Sequence, residues 1–411
     1  MSRSLTGCQV FDPTAVPSEW KCVPLAARLE LLYGRALAEG DRRPGNVDVY
    51  GSNGKVGTHN VRWLPPPGVL VGRKGTVGAV QYSDRPFWPI DTVYYVRPTS
   101  TEDDLRYIYY LLQYLPLRLL NAATGVPGLS RRDAYALRGV FPPKPEQAAI
   151  ARLLDDVCDA IDRVHAAQEQ AVVVKRALVQ RLLSMGTGGE PTKKTVIGPV
   201  PRSWDVVSLR TVVSDFQYGL SVAMQTKGSL PILRMGNIQQ GDVNFGGLKY
   251  VSLPDRLTDR YLLRRGDVLF NRTNSQEHVG KIGIYRDDRA AVFASYLIRL
   301  HPDEVMVDPY FLGQVLSSYA TQCRIKRYAT PGVQQVNINA TNLGSVLVPI
   351  PKGGAGLGEQ RAIASTLERA DESIRSSGPA LEALNSLKRS LMHLLLNARV
   401  RLQPLQVSGQ S

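Results

Sequence analysis

Cysteine is scarce in this sequence. Cys8, Cys22, Cys158 and Cys323 are scattered over 411 residues with no Cys-x-x-Cys pair and no Cys/His ligand spacing. That argues against a disulfide framework or a structural zinc site and for a reducing compartment. Long apolar runs are missing as well. The most apolar stretch, Tyr107 to Leu120, is broken by Gln113, Pro116 and Arg118, so it does not read as a membrane span. Asp12 and Glu19 stand close behind Met1 with no apolar signal core, and a soluble cytoplasmic protein is expected. The five histidines, His59, His165, His278, His301 and His393, form no close pair, which leaves no candidate metal site or triad. Gly51-Ser52-Asn53-Gly54-Lys55-Val56 lacks the four-residue spacer and the Ser/Thr of a phosphate loop, and it reads as a turn. There is no Asn-Pro-Pro-aromatic signature and no Gly-rich methyl-donor loop. No catalytic residue and no cofactor are therefore expected in this chain.

Positive charge is present in excess. Fifty Lys and Arg stand against 36 Asp and Glu, for a net +14, which favours a polyanionic partner, nucleic acid first. The excess is localised. Met1 to Phe141 holds 17 basic and 12 acidic residues, Pro142 to Leu183 six of each, and Ser184 to Lys352 holds 20 and 13. Two basic blocks flank a neutral segment. The length itself exceeds what one hydrophobic core supports, roughly 250 to 300 residues, so two or more domains are expected.

Self-comparison reveals a duplication. Pro17, Trp20, Val23, Leu25 and Tyr33-Gly34 recur as Pro201, Trp204, Val207, Leu209 and Tyr218-Gly219. A Gly-centred turn, Arg73 to Gly78, is matched with Val279 to Gly283 by setting Gly75 on Gly280. The strongest match is Glu146-Gln147-x-Ala-Ile-Ala with Glu359-Gln360-x-Ala-Ile-Ala, which continues without a gap at an offset of 213 through Leu182-Leu183 and Leu395-Leu396. The chain is read as two copies of a unit, each a basic globular part followed by a helix.

Ile150, Leu154, Val157, Ile161, Val164, Gln168, Ala171, Lys175, Leu178 and Leu182 alternate at four- and three-residue spacing, as do Ile363, Leu367, Ala370, Ile374, Ser377, Leu381, Leu384, Lys388, Leu391 and Leu395. This is a coiled-coil seam. Each helix would run roughly 55 Å at ~1.5 Å per residue. Antiparallel packing of the pair buries both seams and keeps pseudo-two-fold symmetry. Residues expected to make the spacer and its contacts are Glu146, Gln147, Ile150, Leu154, Ile161, Leu178 and Leu182, with Glu359, Gln360, Ile363, Leu367, Ile374, Leu391 and Leu395. Gly378-Pro379 lies inside the second seam and predicts a kink or a break there.

The globular parts show short alternating runs bounded by Gly, Pro and Asn and interrupted by helical spacing, which predicts α+β domains. The expected architecture is two pseudo-symmetric recognition domains of short strands and helices, joined by two long helices packed as an antiparallel coiled coil. Its parts are a first domain over 1–143, a helix over 144–185, a linker over 186–200, a second domain over 201–352, a helix over 353–398 and a tail over 399–411. Polar, Gly-rich loops supply the candidate DNA contacts. In the first half these are Tyr50, Ser52, Asn53, Lys55, Arg73, Lys74, Arg131 and Arg132. In the second they are Arg234, Asn237, Asn271, Arg272, Asn274, Lys281, Gln334, Gln335 and Asn337. Arg pairs with guanine, and Asn or Gln with adenine, in the major groove.

Trp204 after Pro201, Tyr218-Gly219, Gly266-Asp267-Val268-Leu269-Phe270-Asn271-Arg272-Thr273-Asn274-Ser275 before Val279-Gly280-Lys281, and the twice-occurring Glu-Gln-x-Ala-Ile-Ala helix resemble the specificity subunit of type I restriction-modification enzymes. The resemblance covers nearly the whole chain. It implies a non-catalytic subunit whose two target recognition domains each read one part of a split sequence in double-stranded DNA. It also implies paired helices that set the spacing and dock two methyltransferase subunits. S-adenosylmethionine, ATP and Mg2+ would belong to those partners and to a separate motor-nuclease subunit. The alternatives are a stand-alone methyltransferase or nuclease, and a two-domain adaptor that bridges proteins.

Overall fold

The computed structural model describes residues 16–120, 128–239, 241–332, 335–352 and 356–402. The chain divides into two compact units, one made of residues 1–166 and 378–411 and the other of 167–377. Both division points fall inside the long helices rather than at their ends.

In the first unit, strand Lys21–Pro24 pairs antiparallel with Arg138–Phe141. An antiparallel sheet follows in the order Leu29–Tyr33, Val93–Pro98, Gly68–Gly72, Val80–Ser83. The Asp104 side chain accepts from Tyr107 N and starts helix Leu105–Tyr114, whose Tyr107, Ile108, Tyr110, Leu111 and Leu112 enter the core. Trp20, Leu25 and Phe141 share that core with Ile150 and Leu154 at the start of the first long helix, Lys144–Met185, and with Leu395 and Leu396 at the end of the second, Gly356–Leu396.

The second unit repeats the plan. Trp204–Ser208 pairs with Leu347–Pro351. Four strands of a six-stranded sheet run in the order Val213–Tyr218, Leu297–Pro302, Val268–Asn271, Ile282–Ile284. Asp308 caps helix Pro309–Ser317 as Asp104 caps its counterpart. Trp204 and Phe311 pack with Ile363 and Leu367, and Leu178 and Leu182 lie against this cluster. Within each unit, then, the beginning of one long helix lies beside the end of the other, an antiparallel pair. The polar residue at seam position Lys175 has its partner here: its Nζ lies 2.5 Å from Asp371 Oδ1, and Gln314 Nε2 donates to Asp371 Oδ2 at 2.8 Å.

The two sheets share their register around the end of the edge strand, although the second has a bulge between Val213 and Asp215. Tyr33 faces Tyr94 and Val71 faces Tyr94; Tyr218 faces Ile298 and Phe270 faces Ile298. This register corrects the alignment of the Gly turns. Gly78 N donates to Gly72 O and Gly280 N to Asn271 O, both at 2.8 Å, while Gly72 N donates to Ala79 O and Asn271 N to Lys281 O. Gly78, not Gly75, is the counterpart of Gly280. Both adopt positive φ, +71° and +89°, where a side chain is strained. The second copy has three more residues between its paired positions, which displaced the match made on sequence alone.

The expected break at Gly378-Pro379 does not occur, since Gly356–Leu396 is one helix with Pro379 inside it. Within a helix proline clashes with the carbonyl of residue i−4 and with the Cβ and N–H of the residue before it, and Gly378 removes the Cβ part of that clash. Pro379 is exposed, and it leaves the Arg375 carbonyl without its helical donor. Ser376 and Ser377 each bond Ser373 O one turn earlier.

Candidate nucleic-acid interface

Each unit fixes an arginine on a surface tyrosine in the same way. Tyr33 and Tyr218 end the edge strands of the two sheets and remain 47% and 40% exposed. The chain turns sharply after each. An ideal Cβ on Gly34 would lie 1.9 Å from Ile90 O, and one on Gly219 2.3 Å from Ala294 O, so only glycine fits there. Arg73 follows strand Gly68–Gly72, and its guanidinium carbon lies 4.8 Å from the Tyr33 ring centre. Arg272 follows strand Val268–Asn271 and lies 4.9 Å from that of Tyr218. Arg73 Nη1 donates to Asp91 O at 3.0 Å and Arg272 Nη1 to Ser295 O at 3.3 Å. The backbone N–H groups donate to Thr92 O and Tyr296 O. Every one of these partners is equivalent in the register of the two sheets.

Around these shared pairs the two surfaces differ. In the first unit Arg131 also lies over the Tyr33 ring, 4.4 Å from its centre. Exposed Lys74 bridges to Gly128, and exposed Arg132 lies beside Arg131 in helix Arg131–Ala136. Arg73 also lies 5.9 Å from the ring centre of Tyr94, whose hydroxyl burial raises above its ordinary range. Ser52 Oγ accepts from Thr76 N and joins the Tyr50 to Lys55 turn to the Arg73 to Gly78 loop. Asn53 is exposed; Tyr50 is half-buried against Leu70 and Phe87, and Lys55 is paired with Asp48 at 2.6 Å.

In the second unit Thr273–Asn274 pairs with Val336–Asn337, and Thr330–Pro331 completes a three-stranded ribbon. Asn274, exposed Gln335 and Asn337 are thus brought together beside Arg272; Gln334 lies outside the described residues. The end of helix Tyr319–Lys326 joins this loop cluster, because Gln322 Nε2 donates to Gly280 O and Lys326 Nζ to Glu277 O. Arg324 titrates below its ordinary range through burial and the neighbouring Arg327 charge. Arg324, Lys326, Arg327 and the partly exposed Tyr328 were not among the sequence candidates. Their signal was the basic run Arg324-Ile325-Lys326-Arg327-Tyr328.

Two candidates are corrected. Asn237 is 2% exposed: its Oδ1 accepts from Arg234 N, and its Nδ2 donates to Asn244 O and Gly246 O at 2.9 and 3.0 Å. Asn271 is fully buried within its strand. Neither amide is presented to a ligand. Arg234 is held by Gly247 O at one side of the same loop, and Lys281 is half-buried next to Gly280.

The Glu-Gln pairs face their own bodies. Trp20 Nε1 donates to Glu146 Oε2 and Trp204 Nε1 to Glu359 Oε2. Gln147 Oε1 accepts from Asp104 N and Gln360 Oε1 from Asp308 N. They lock each body to the first turn of its own helix. Ile161 and Ile374 lie buried farther along the seams, with Leu391 partly buried against the first core. Facing away from the seam, Val173 and Val174 are 58% and 51% exposed.

Among the described residues no cluster of His, Cys, Asp or Glu could hold a metal ion, and no helix is long and apolar enough to cross a membrane. The family model of the type I restriction modification DNA specificity domain matches residues 17–173 and 216–385. A protein of Methanocaldococcus jannaschii provisionally named the type I restriction enzyme MjaX specificity subunit is 32% identical over 215 residues, 51% of this chain and 49% of that one, so the match spans about half of either. The EcoBI specificity subunit of Escherichia coli is 25% identical over 80% of this chain and 73% of its own. The crystal structure of a type I restriction-modification S subunit from M. genitalium has the same fold, with a TM-score of 0.64 at 16% identity over 92% of this chain and 96% of that one.

Proposed function

Because the chain belongs to the type I restriction-modification DNA specificity family, as a specificity subunit and not a catalytic one, we propose that it recognises a split sequence in double-stranded DNA, one half-site per unit. The observation that carries this reading is the duplicated frame: two sheets of matching register at the Tyr33 and Tyr218 positions present an Arg–Tyr pair each, while the loops beside them differ. A common frame with divergent loops suits two domains that approach the same polymer and read different bases. Phosphate attraction would give affinity and salt dependence, and the loops would give sequence choice.

The long helices would dock two methyltransferase subunits, and a motor-nuclease subunit would complete the complex in the cytoplasm. Their seam faces are occupied by each other and by the cores, so docking falls to outward residues such as Val173 and Val174. S-adenosylmethionine, ATP and Mg2+ would serve those partners. Modified-base sequencing of host DNA with and without this gene tests the proposal. Loss of adenine methylation at one split motif is expected, and an unchanged methylation pattern contradicts it.

A further inference from the structure

We infer that Arg73 on Tyr33 and Arg272 on Tyr218 are equivalent phosphate clamps that grip the DNA backbone without reading sequence. The inference rests on the DNA-recognition role proposed above and identifies what part of the nucleic acid these residues meet.

The first ground is equivalence. Carbonyl partner, stacking distance, backbone hydrogen bond and position after the third strand of the sheet all coincide in the two units. Their neighbours do not: Lys74 stands where the second unit has Thr273, and Arg131 where it has Ala340, whose N–H donates to Tyr218 Oη. Two domains that read different bases have only the sugar-phosphate backbone in common as a ligand. A contact kept unchanged while its surroundings diverge suits that shared part.

The second ground is charge. Arg28, Arg106, Arg286, Arg299 and Arg375 are paired with carboxylates. Arg73 and Arg272 form no ion pair among the described residues, although both are half-buried. Each is fixed by a carbonyl at Nη1 and by an aromatic face, so little freedom remains to be lost on binding. Arg272 Nε is buried without a partner, and Nη2 carries no hydrogen bond in either arginine among the described residues, so Nη2 is the donor left for a phosphate oxygen.

The test uses the full chain assembled with its methyltransferase partners and a fluorescent duplex of random sequence, with the association constant measured against salt. Arg73→Gln keeps a donor for Asp91 O but removes the charge, and Arg272→Gln does the same for Ser295 O. Each should make the log–log salt slope shallower by about 0.9, the double variant by about 1.8. Arg73→Lys and Arg272→Lys should keep the wild-type slope. Thermal unfolding of each variant provides the structural control. Unchanged slopes in both Gln variants, with or without a lowered Tm, overturn the clamp, as does a change in only one. A wild-type assembly with no salt-dependent affinity for the duplex removes the recognition role itself, and the clamp with it.

Discussion

Trp20 Nε1 donates a 3.0 Å hydrogen bond to Glu146 Oε2 across 126 residues of sequence, and Trp204 repeats it with Glu359 at 3.1 Å. Each carboxylate serves a second group: Glu146 Oε1 accepts from Leu402 N, and Glu359 Oε1 from Thr187 N. One carboxylate therefore gathers the start of the body, the start of one long helix and the segment that follows the end of the other. Glu359→Ala leaves a buried indole N–H without an acceptor. It should cost about 2 kcal/mol or more, while Glu359→Gln, which retains an acceptor oxygen, should cost less. Denaturant unfolding of the two variants checks the order; equal stability to wild type would show that the bond is replaced by water.

Asn237 lies in a polar loop but satisfies three backbone groups inside it. Asn237→Ala should lower stability by about 1–3 kcal/mol and leave the methylated motif unchanged. Denaturant unfolding measures the first and modified-base sequencing the second. A changed motif at unchanged stability would reinstate Asn237 as a base contact.

Pro379 sits in an otherwise regular helix. Proline is about 3 kcal/mol worse than alanine in a helix interior, and Gly378 relieves part of that. Pro379→Ala should raise Tm, corresponding to about 1–2 kcal/mol of added stability. A fall in Tm would mean that Pro379 is held by a contact of its own.

Val173 and Val174 are exposed on a helix whose seam positions Ile150, Leu154, Leu178 and Leu182 are packed. Replacing both with Asp should weaken co-purification of the methyltransferase partners and leave Tm within a few degrees, since exposed substitutions change stability by about 0.5 kcal/mol or less. Undiminished co-purification would place the docking surface elsewhere.

How much of this was legible in the sequence follows from what the sequence encodes locally. The helices from Lys144 and Gly356 and the strands around Val69, Tyr94 and Leu269 announce themselves by periodicity. The duplication exposed Trp20/Trp204, Tyr33/Tyr218 and Glu146/Glu359, but not what they do. Trp–Glu and Tyr–Arg contacts join residues tens to more than a hundred positions apart, and only folding brings them together. Asn237 and Asn271 stand out in the sequence by their amide chemistry, which is the same whether the amide faces DNA or a buried carbonyl. Gly75 was matched to Gly280 because residue identity outweighed an insertion that only the strand register reveals.

The claim that each unit reads one half-site is tested most directly by exchanging residues 21–141 for the corresponding segment of another family member and sequencing modified bases in a host that supplies the partners. Trp20 and Glu146 stay in place, so the hydrogen bond between them is kept beneath the new body. The account predicts a new split motif in which one half-site has changed and the other is as before. A motif changed in both halves, or in neither, would contradict it.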